Sequence, residues 1–221
     1  MGNYEIILSE LEQTHTRLIA VSKTKSVAQI LELYQKGQRA FGENKVQELL
    51  EKYEQLPQDI EWHLIGHLQS NKVKYIIPFV HLIHSVDSLK LLFEINKEAT
   101  KHQKVQQVLI QIHLGNEETK FGVDEKELIE ILEYYCAENG NLQNVAIVGL
   151  MGMATNTDDE EIIRTEFLHL RNLFRSTKNT YLLHKKNFVE ISMGMSSDYK
   201  IALEAGSTLI RVGSLLFGSR T

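Results

Sequence analysis

The chain has 221 residues, of which 43% are hydrophobic and 24% charged, an ordinary composition for a globular protein. Its net charge is only −5 and its basic residues are scattered, which excludes nucleic-acid binding through a basic stripe. No apolar run approaches the ~20 residues of a membrane span, and the N-terminus lacks a signal-peptide pattern. The single cysteine, Cys136, excludes an internal disulfide. We therefore expect a cytoplasmic protein with no nucleic-acid or membrane partner.

The predicted elements begin with a short amphipathic helix, and apolar strands then alternate with helices. The predicted strands are 16–23, 39–44, 61–66, 80–86, 107–114, 145–153, 188–195 and 208–218. Segments with helical periodicity include 26–37, 87–102 and 124–140. Ser26 and Asp87 are the expected start residues, and Gly37 and Gly140 the residues expected just past helix ends. Such alternation predicts a parallel sheet covered by helices.

The number of strands decides between the parallel-sheet architectures. Open doubly wound sheets usually have five or six strands, whereas eight βα units close a barrel of ~250 residues. The sequence has no linker or low-complexity segment. We predict a single domain over 1–221, an α/β fold of the (β/α)8 TIM-barrel class preceded by the short helix.

Two lysines follow the first predicted strand in "RLIAVSKTKS", at Lys23 and Lys25. Catalytic groups of such barrels cluster at the C-terminal ends of strands. Partial desolvation there favours the neutral, nucleophilic amine, which suits Schiff-base chemistry with a carbonyl. A solvated lysine at a strand end is the alternative that position alone leaves open.

Small residues and hydroxyls dominate the ends of the last two predicted strands, in "SMGMSSD" and "RVGSLLFGS". The loops after strands seven and eight of such barrels often bind phosphate. Gly194 and Gly213 permit close backbone approach, and Ser196, Ser197 and Ser214 offer hydroxyl donors. A lysine on strand one facing a phosphate site predicts a phosphorylated aldehyde, and pyridoxal 5′-phosphate (PLP) fits.

Arg211 is on the last predicted strand. It is a candidate partner for the pyridine nitrogen of PLP. Because a guanidinium stays charged, it would leave that nitrogen unprotonated and make the ring a weaker electron sink than an aspartate would. A salt bridge at the end of the barrel is the alternative role for Arg211.

Several motifs in register resemble the YggS/PROSC family of PLP-binding proteins, related in fold to the N-terminal barrel of alanine racemase. They are "AVSKTK" (20–25), "FGENKVQE" (41–48), "WHLIGHLQSNK" (62–72), "HSVDS" (84–88), "ETKFG" (118–122), "GLMGMA" (149–154) and "SMGMSSDYKIALEAGSTLIRVGSLLFG" (192–218). The resemblance covers almost the whole chain. It implies a protein of intracellular PLP homeostasis and amino- and keto-acid balance, in which a lysine Schiff base holds PLP and no catalytic reaction is firmly established.

The resemblance also implies roles for individual residues, with Lys23 as the Schiff-base residue in both the catalytic and the cofactor-binding sense. The cofactor-binding set it implies is Lys23, Asn44, His67, Ser192, Ser196, Arg211, Gly213 and Ser214. Ser214 stands where many members have threonine, and Lys45 follows "FGEN" where an aromatic residue is common. Serine keeps the hydroxyl, so phosphate binding remains expected.

A racemase needs an acid/base group on each face of the substrate's α-carbon. In alanine racemase a tyrosine from a second domain of the partner subunit supplies one of them, and we expect no such domain after Thr221. We therefore expect a PLP-binding regulator or carrier without robust activity, a monomer whose candidate partners are PLP-requiring apoenzymes. The alternative is a PLP-dependent amino-acid racemase or related enzyme of low activity.

Other chemistries remain as weaker alternatives. A metal-dependent barrel hydrolase would use some of the nine histidines, but no tight His-x-His pair ends a strand and no H-E-x-x-H occurs, so we predict no metal. A class I aldolase would also use a barrel lysine, although the phosphate site and Arg211 suit a retained cofactor better. Lys25 shares a strand face with Lys23 and is an alternative Schiff-base residue. Lys120 is a further candidate lysine at the mouth.

Overall fold

Eight parallel strands form a closed barrel in this computed structural model, which describes residues 2–115, 121–137 and 140–218. Each strand pairs with the next along the chain, and the eighth pairs with the first. The strands are β1 (Arg17–Val21), β2 (Ala40–Glu43), β3 (Glu61–Leu64), β4 (Leu82–Val86), β5 (Gln106–Ile112), β6 (Val145–Gly152), β7 (Glu190–Ser192) and β8 (Leu209–Val212). The predicted (β/α)8 barrel is confirmed.

One helix precedes β1, others occupy the connections between the strands, and a last one follows β8. They are α1 (Asn3–Leu11), α2 (Val27–Gln35), α3 (Val46–Tyr53), α4 (Val73–Ile76), α5 (Leu89–Lys101), α6 (Glu125–Cys136), α7 (Glu160–Thr180), α8 (Tyr199–Glu204) and α9 (Ser214–Phe217). A 3₁₀ turn at Ser70–Lys72 leads into α4. Among the described residues, no helix has the length and apolar character needed to cross a membrane.

Local sequence signals explain where several helices begin and end. Ser26 caps α2 in a reciprocal capping box with Gln29, as the start signal predicts. Gly37 follows α2 with a φ of +102°, a left-handed conformation that favours glycine.

Three predicted boundaries are wrong. The cap of α5 is Ser88 instead of Asp87, because its hydroxyl accepts the N–H of Leu91. Helix α6 stops at Cys136 because Ala137 is extended, so Gly140 does not end it. The strand predicted over 208–218 ends at Val212, and the chain turns into α9, where the N–H groups of Leu216 and Phe217 donate to the carbonyl of Gly213.

The apolar core has two layers. The larger one lies between the barrel and its helices and includes the fully buried Phe41, Trp62 and Phe167. The smaller one fills the barrel and consists of Ile19, Leu82, Leu109, Ala146, Val148, Met151 and Leu209. Buried polar side chains share the barrel interior with this smaller layer, among them His63, His84, Ser192 and Arg211. They connect the barrel interior to the site at its mouth.

Candidate functional site

A cavity of about 460 Å³ opens at the C-terminal ends of the strands. Six of the eight predicted cofactor-binding residues line it, namely Lys23, Asn44, Ser196, Arg211, Gly213 and Ser214. Val21, Ile65, Met153 and Met195 add apolar walls. The cavity therefore combines an amine, a guanidinium and a group of hydroxyls against an apolar surface.

Lys23 lies in a tight turn directly after β1. The next residue, Thr24, has a φ of +65°, which is unusual for a β-branched side chain. The Thr24 N–H donates to Glu48 Oε1 over 2.5 Å, and the Lys25 N–H donates to the carbonyl of Ser22 over 3.0 Å. These bonds fix the backbone on both sides of Lys23.

A buried ionic cluster supports this turn from below. Lys52 Nζ donates over 2.7 Å to each of three oxygens, those of the Ser22 carbonyl, Glu43 Oε1 and Glu48 Oε1. The Ser22 hydroxyl also donates to Glu43 over 2.6 Å. Burial raises the pKa of the Glu43 carboxyl, while the bonds from Lys52 and Ser22 oppose that rise. The cluster ties β1, β2 and α3 together under Lys23.

Arg211 projects from β8 into the barrel and is only 4% exposed. Its guanidinium donates to Ser192 Oγ over 2.6 Å and to the carbonyl of Gly152 over 3.0 Å. Burial lowers the pKa of Arg211 to about 10, and the neighbouring Asp198 acts in the opposite direction. Arg211 thus remains a cation at neutral pH, held rigidly at the floor of the cavity.

Ser192 continues this contact down the barrel through two buried histidines. Its Oγ lies 2.9 Å from His84 Nδ1, and His84 Nε2 lies 2.9 Å from His63 Nδ1. Burial lowers the pKa of both His63 and His84 well below the usual range, so both are neutral at pH 7. Ser192 therefore lies beneath Arg211 and does not line the cavity.

Asn44 follows β2 and lines the cavity. Its Oδ1 is buried and has no hydrogen-bond partner within the described part of the chain. Gly66 packs so closely on the Asn44 backbone that a Cβ on Gly66 would lie 2.4 Å from the carbonyl oxygen of Asn44. A buried polar atom without a partner is unusual in a folded protein.

The loops after β7 and β8 also line the cavity, where they contact each other. The Gly213 N–H donates to Ser196 Oγ over 3.3 Å and joins the two loops. Gly194 has a φ of +93°, and a Cβ there would lie 2.6 Å from that of Ala202. Across residues 2–115, 121–137 and 140–218, the backbone N–H groups of Ser197 and Ser214 have no hydrogen-bond acceptor. These loops offer N–H and hydroxyl donors for an anion.

Lys25 also lines the cavity, but its amine has protein partners. Its Nζ donates over 3.3 Å to the carbonyls of Phe217 and Gly218, just after β8. Lys25 therefore ties the turn after β1 to the segment after β8.

His67 lies at the same end of the barrel but outside the cavity lining. Its Nδ1 lies 3.1 Å from Asp87 Oδ2, and its ring stacks on Phe121 at 4.2 Å between centroids. Lys120, the further candidate lysine, lies outside the described residues.

The sequence reasoning missed the residues that position Lys23, namely Glu43, Glu48 and Lys52. Glu43 and Glu48 lie in "FGENKVQE", and Lys52 follows Glu48 at the i,i+4 spacing of a helical ion pair. A glutamate ending an otherwise apolar strand was the available signal for a buried partner.

The family model for "Alanine racemase, N-terminal domain" matches residues 2–221. A protein of Aquifex aeolicus named "Pyridoxal phosphate homeostasis protein" is 44% identical over 205 residues, which cover 92% of this chain and 87% of that protein.

Solved structures of similar fold include a relative of this chain and an alanine racemase. The structure of PipY from Synechococcus elongatus with PLP bound is similar at a TM-score of 0.87 and 35% identity, covering 98% of this chain and all of that one (100%). Alanine racemase from Bartonella henselae, with covalently bound pyridoxal phosphate, is similar at a TM-score of 0.70 and 17% identity, covering 99% of this chain and 59% of that one. This last likeness concerns the barrel fold alone.

Proposed function

Since this chain belongs to the family of the pyridoxal phosphate homeostasis proteins, built on the alanine racemase N-terminal domain, we propose that it binds PLP and acts in intracellular PLP homeostasis and amino- and keto-acid balance. The observation that carries the proposal is that Lys23 and Arg211 line one cavity from neighbouring strands, with hydroxyls of the last two loops beside them. That combination offers a separate partner for the aldehyde, the pyridine nitrogen and the phosphate of PLP.

The cavity suits the cofactor in size and chemistry. Its volume of about 460 Å³ falls in the range usual for small-ligand sites. The apolar side chains of Ile65 and Met153 suit the faces of a flat ring. Asn44 adds a polar side chain to the lining beside these apolar residues. The residues present therefore fit PLP.

Lys23 forms a Schiff base with the aldehyde of PLP in this proposal, and one water leaves as the C=N bond forms. The half-buried position of Lys23 at the cavity supports this assignment. Lys25 lines the same cavity, and it is the family motif that favours Lys23 over it. Bound in this way, PLP supplies an electron sink for amino-acid chemistry.

Arg211 holds the pyridine nitrogen in this arrangement, and Ser192 acts from below by holding Arg211. The guanidinium is buried and charged, so it donates to the nitrogen and does not protonate it. The ring is then a weaker electron sink than one paired with a carboxylate. Such a site therefore disfavours carbanion chemistry on the bound cofactor.

Ser196, Gly213 and Ser214 bind the phosphate in the proposed complex. Free backbone N–H groups and serine hydroxyls in adjoining loops are a suitable donor set for a phosphate. His67 has its side chain engaged by Asp87 and Phe121, and its place in the cofactor-binding set rests on the family motif alone.

A carrier or regulator role fits the cavity better than a racemase role. A racemase needs a second acid/base group facing the substrate. Among the described residues that line the cavity, none is a tyrosine. Turnover of an amino acid by the purified protein above ~1 per second would contradict this part of the proposal.

We also propose that the chain acts as one cytoplasmic domain over 1–221 and as a monomer, with PLP-requiring apoenzymes as recipients of the cofactor. The monomeric state is supported by the scatter of exposed large apolar residues, such as Ile6, Phe93 and Leu183, over separate helices and loops. Sedimentation of the purified protein tests it.

An absorption spectrum before and after borohydride reduction tests the cofactor assignment. We expect near-visible absorbance that borohydride abolishes, with PLP fixed covalently to Lys23 in the reduced protein. The Lys23→Ala variant should lose the reducible absorbance, and the matched Lys25→Ala variant should keep it. Retained reducible absorbance in Lys23→Ala, or its absence from the wild type supplied with PLP, would contradict the assignment.

A further inference from the structure

Three side chains able to ligate a metal meet at the end of the barrel opposite the cofactor cavity. They are Glu61, the first residue of β3, His63 two residues later, and His81, which immediately precedes β4. One ligand atom from each lies within 4.8 Å of the others. We propose that they form a binding site for a borderline divalent cation of the Zn²⁺ class, separate in position from the PLP site.

His63 provides the strongest observation for this site. It is fully buried (0% exposed), and its Nδ1 is engaged 2.9 Å from His84 Nε2. Its Nε2 is buried and has no hydrogen-bond partner among the residues that the structure describes. Nε2 is therefore the nitrogen available to a metal, and a buried polar atom without a partner is costly unless something binds it.

The other two ligands are accessible and adjustable. Glu61 and His81 are both partly exposed and line an open groove of about 380 Å³, so two of the three ligands are accessible from solvent. The His81 ring lies 5.3 Å from the His63 ring between centroids. Zn²⁺ binds nitrogen at ~2.0–2.1 Å, so small rotations of Glu61 and His81 would close the three atoms around it.

The ligand set determines the kind of cation. Two imidazoles and one carboxylate suit Zn²⁺ or Co²⁺, whereas Mg²⁺ and Ca²⁺ prefer oxygen ligands. The fourth position, facing the groove, would hold water. Two cations lie nearby without occupying the site. Arg17 makes its close contact with Glu190 at 2.9 Å and lies 3.9 Å from Glu61, and Lys104 donates to the carbonyls of Ile77 and Val80.

The metal would also fix the protons of the buried histidines. Coordination at His63 Nε2 leaves the His63 proton on Nδ1, where it is donated to His84 Nε2. The His84 proton then lies on Nδ1 and is donated to Ser192 Oγ, which already accepts from Arg211. The proposed site is thus connected to the floor of the cofactor cavity by hydrogen bonds.

Zinc titration of the untagged, chelator-treated protein against a chromophoric chelator tests the proposal. We expect one Zn²⁺ per chain, with affinity at least about tenfold weaker in Glu61→Gln and in His81→Ala. Both positions are partly exposed, so the variants should fold, and circular dichroism verifies this. Zn²⁺ should raise the melting temperature of the wild type, and the same Zn²⁺ concentration should raise that of both variants less.

His169→Ala is the matched control, since His169 Nε2 lies 3.4 Å from Glu125 on the exposed surface. It should bind Zn²⁺ like the wild type. Any zinc held by PLP at the opposite end would persist in Glu61→Gln and His81→Ala, so undiminished binding in these variants overturns the proposal, as does failure of the wild type to bind.

Nitrogen-15 NMR of the imidazoles provides a second readout. In the zinc-loaded protein, His63 and His84 should both carry their protons on Nδ1. A proton found on Nε2 of His63 under zinc saturation would overturn its assignment as a ligand.

Discussion

At the scale of single residues, the turn after β1 contains the clearest conflict between a side chain and its backbone. Thr24 adopts a φ of +65°, which costs a β-branched residue about 1–2 kcal/mol. The bond from the Thr24 N–H to Glu48 holds this conformation, and the turn positions Lys23. The sequence "SKTK" contains no sign of it, because glycine and asparagine are the usual residues for this conformation.

Replacing Thr24 with glycine should stabilise the protein. Glycine adopts positive φ without a steric penalty, although its flexible unfolded state offsets part of the gain. We expect Thr24→Gly to raise the free energy of unfolding by about 1 kcal/mol in urea denaturation. Thr24→Val is the control, since it keeps the β-branch and removes only the hydroxyl. A Thr24→Gly variant less stable than Thr24→Val would show that the turn is not strained.

At the scale of secondary-structure elements, Lys52 connects α3 to β1 and β2 under the cavity. Its amine is 7% exposed and bonds Glu43, Glu48 and the Ser22 carbonyl. Amphipathic periodicity would assign a lysine to the solvent face of a helix, so a buried one is recognised only from its partners in space. The pairing of β1 with β2 and the packing of α3 against them bring Lys52 to these partners.

Removing the lysine of this cluster should be strongly destabilising. Lys52→Met leaves the Glu43 carboxylate buried with the Ser22 hydroxyl as its remaining partner, and we expect a loss of about 3–5 kcal/mol in the free energy of unfolding. Glu43→Gln combined with Lys52→Met should recover part of the loss, because the buried charge is gone. Lys97→Met removes an exposed i,i+3 partner of Glu94 and should change stability little. Equal losses in the single and double variants would contradict this account.

At the scale of the whole molecule, the buried histidines make stability depend on pH. Burial holds the pKa of His63 and His84 well below the usual value, so both remain neutral in the folded protein while they protonate in the unfolded chain near pH 6.5. The contribution of the two neutral histidines to the free energy of unfolding is therefore present above pH 6.5, and it is lost as the pH falls below that value. The pKa values of the Glu43 and Asp198 carboxyls are raised, so these two groups make the free energy of unfolding increase as the pH falls.

Urea denaturation at several pH values measures this dependence. Between pH 7 and pH 5.5, we expect the two histidines to lower the free energy of unfolding by about 2–3 kcal/mol. His84→Asn should remove about half of this slope, and the carboxyl contributions cancel in the comparison because both proteins retain them. The exposed His169→Gln variant should keep the full slope. An unchanged slope in His84→Asn would show that this histidine is protonated in the folded protein.

The sequence by itself determined the barrel, because eight apolar strands alternating with helices have few other ways to bury their surfaces. It also predicted Lys23, Arg211 and the serines of the last two loops as neighbours, since the C-terminal ends of all eight strands meet at one mouth. Tertiary structure alone decided the inward contacts. The line from His63 through His84 and Ser192 to Arg211 joins four strands, and its hydrogen-bonded pairs are 19 to 108 residues apart along the chain. Contacts at such separations depend on barrel register, a collective property of strand pairing that no local pattern encodes.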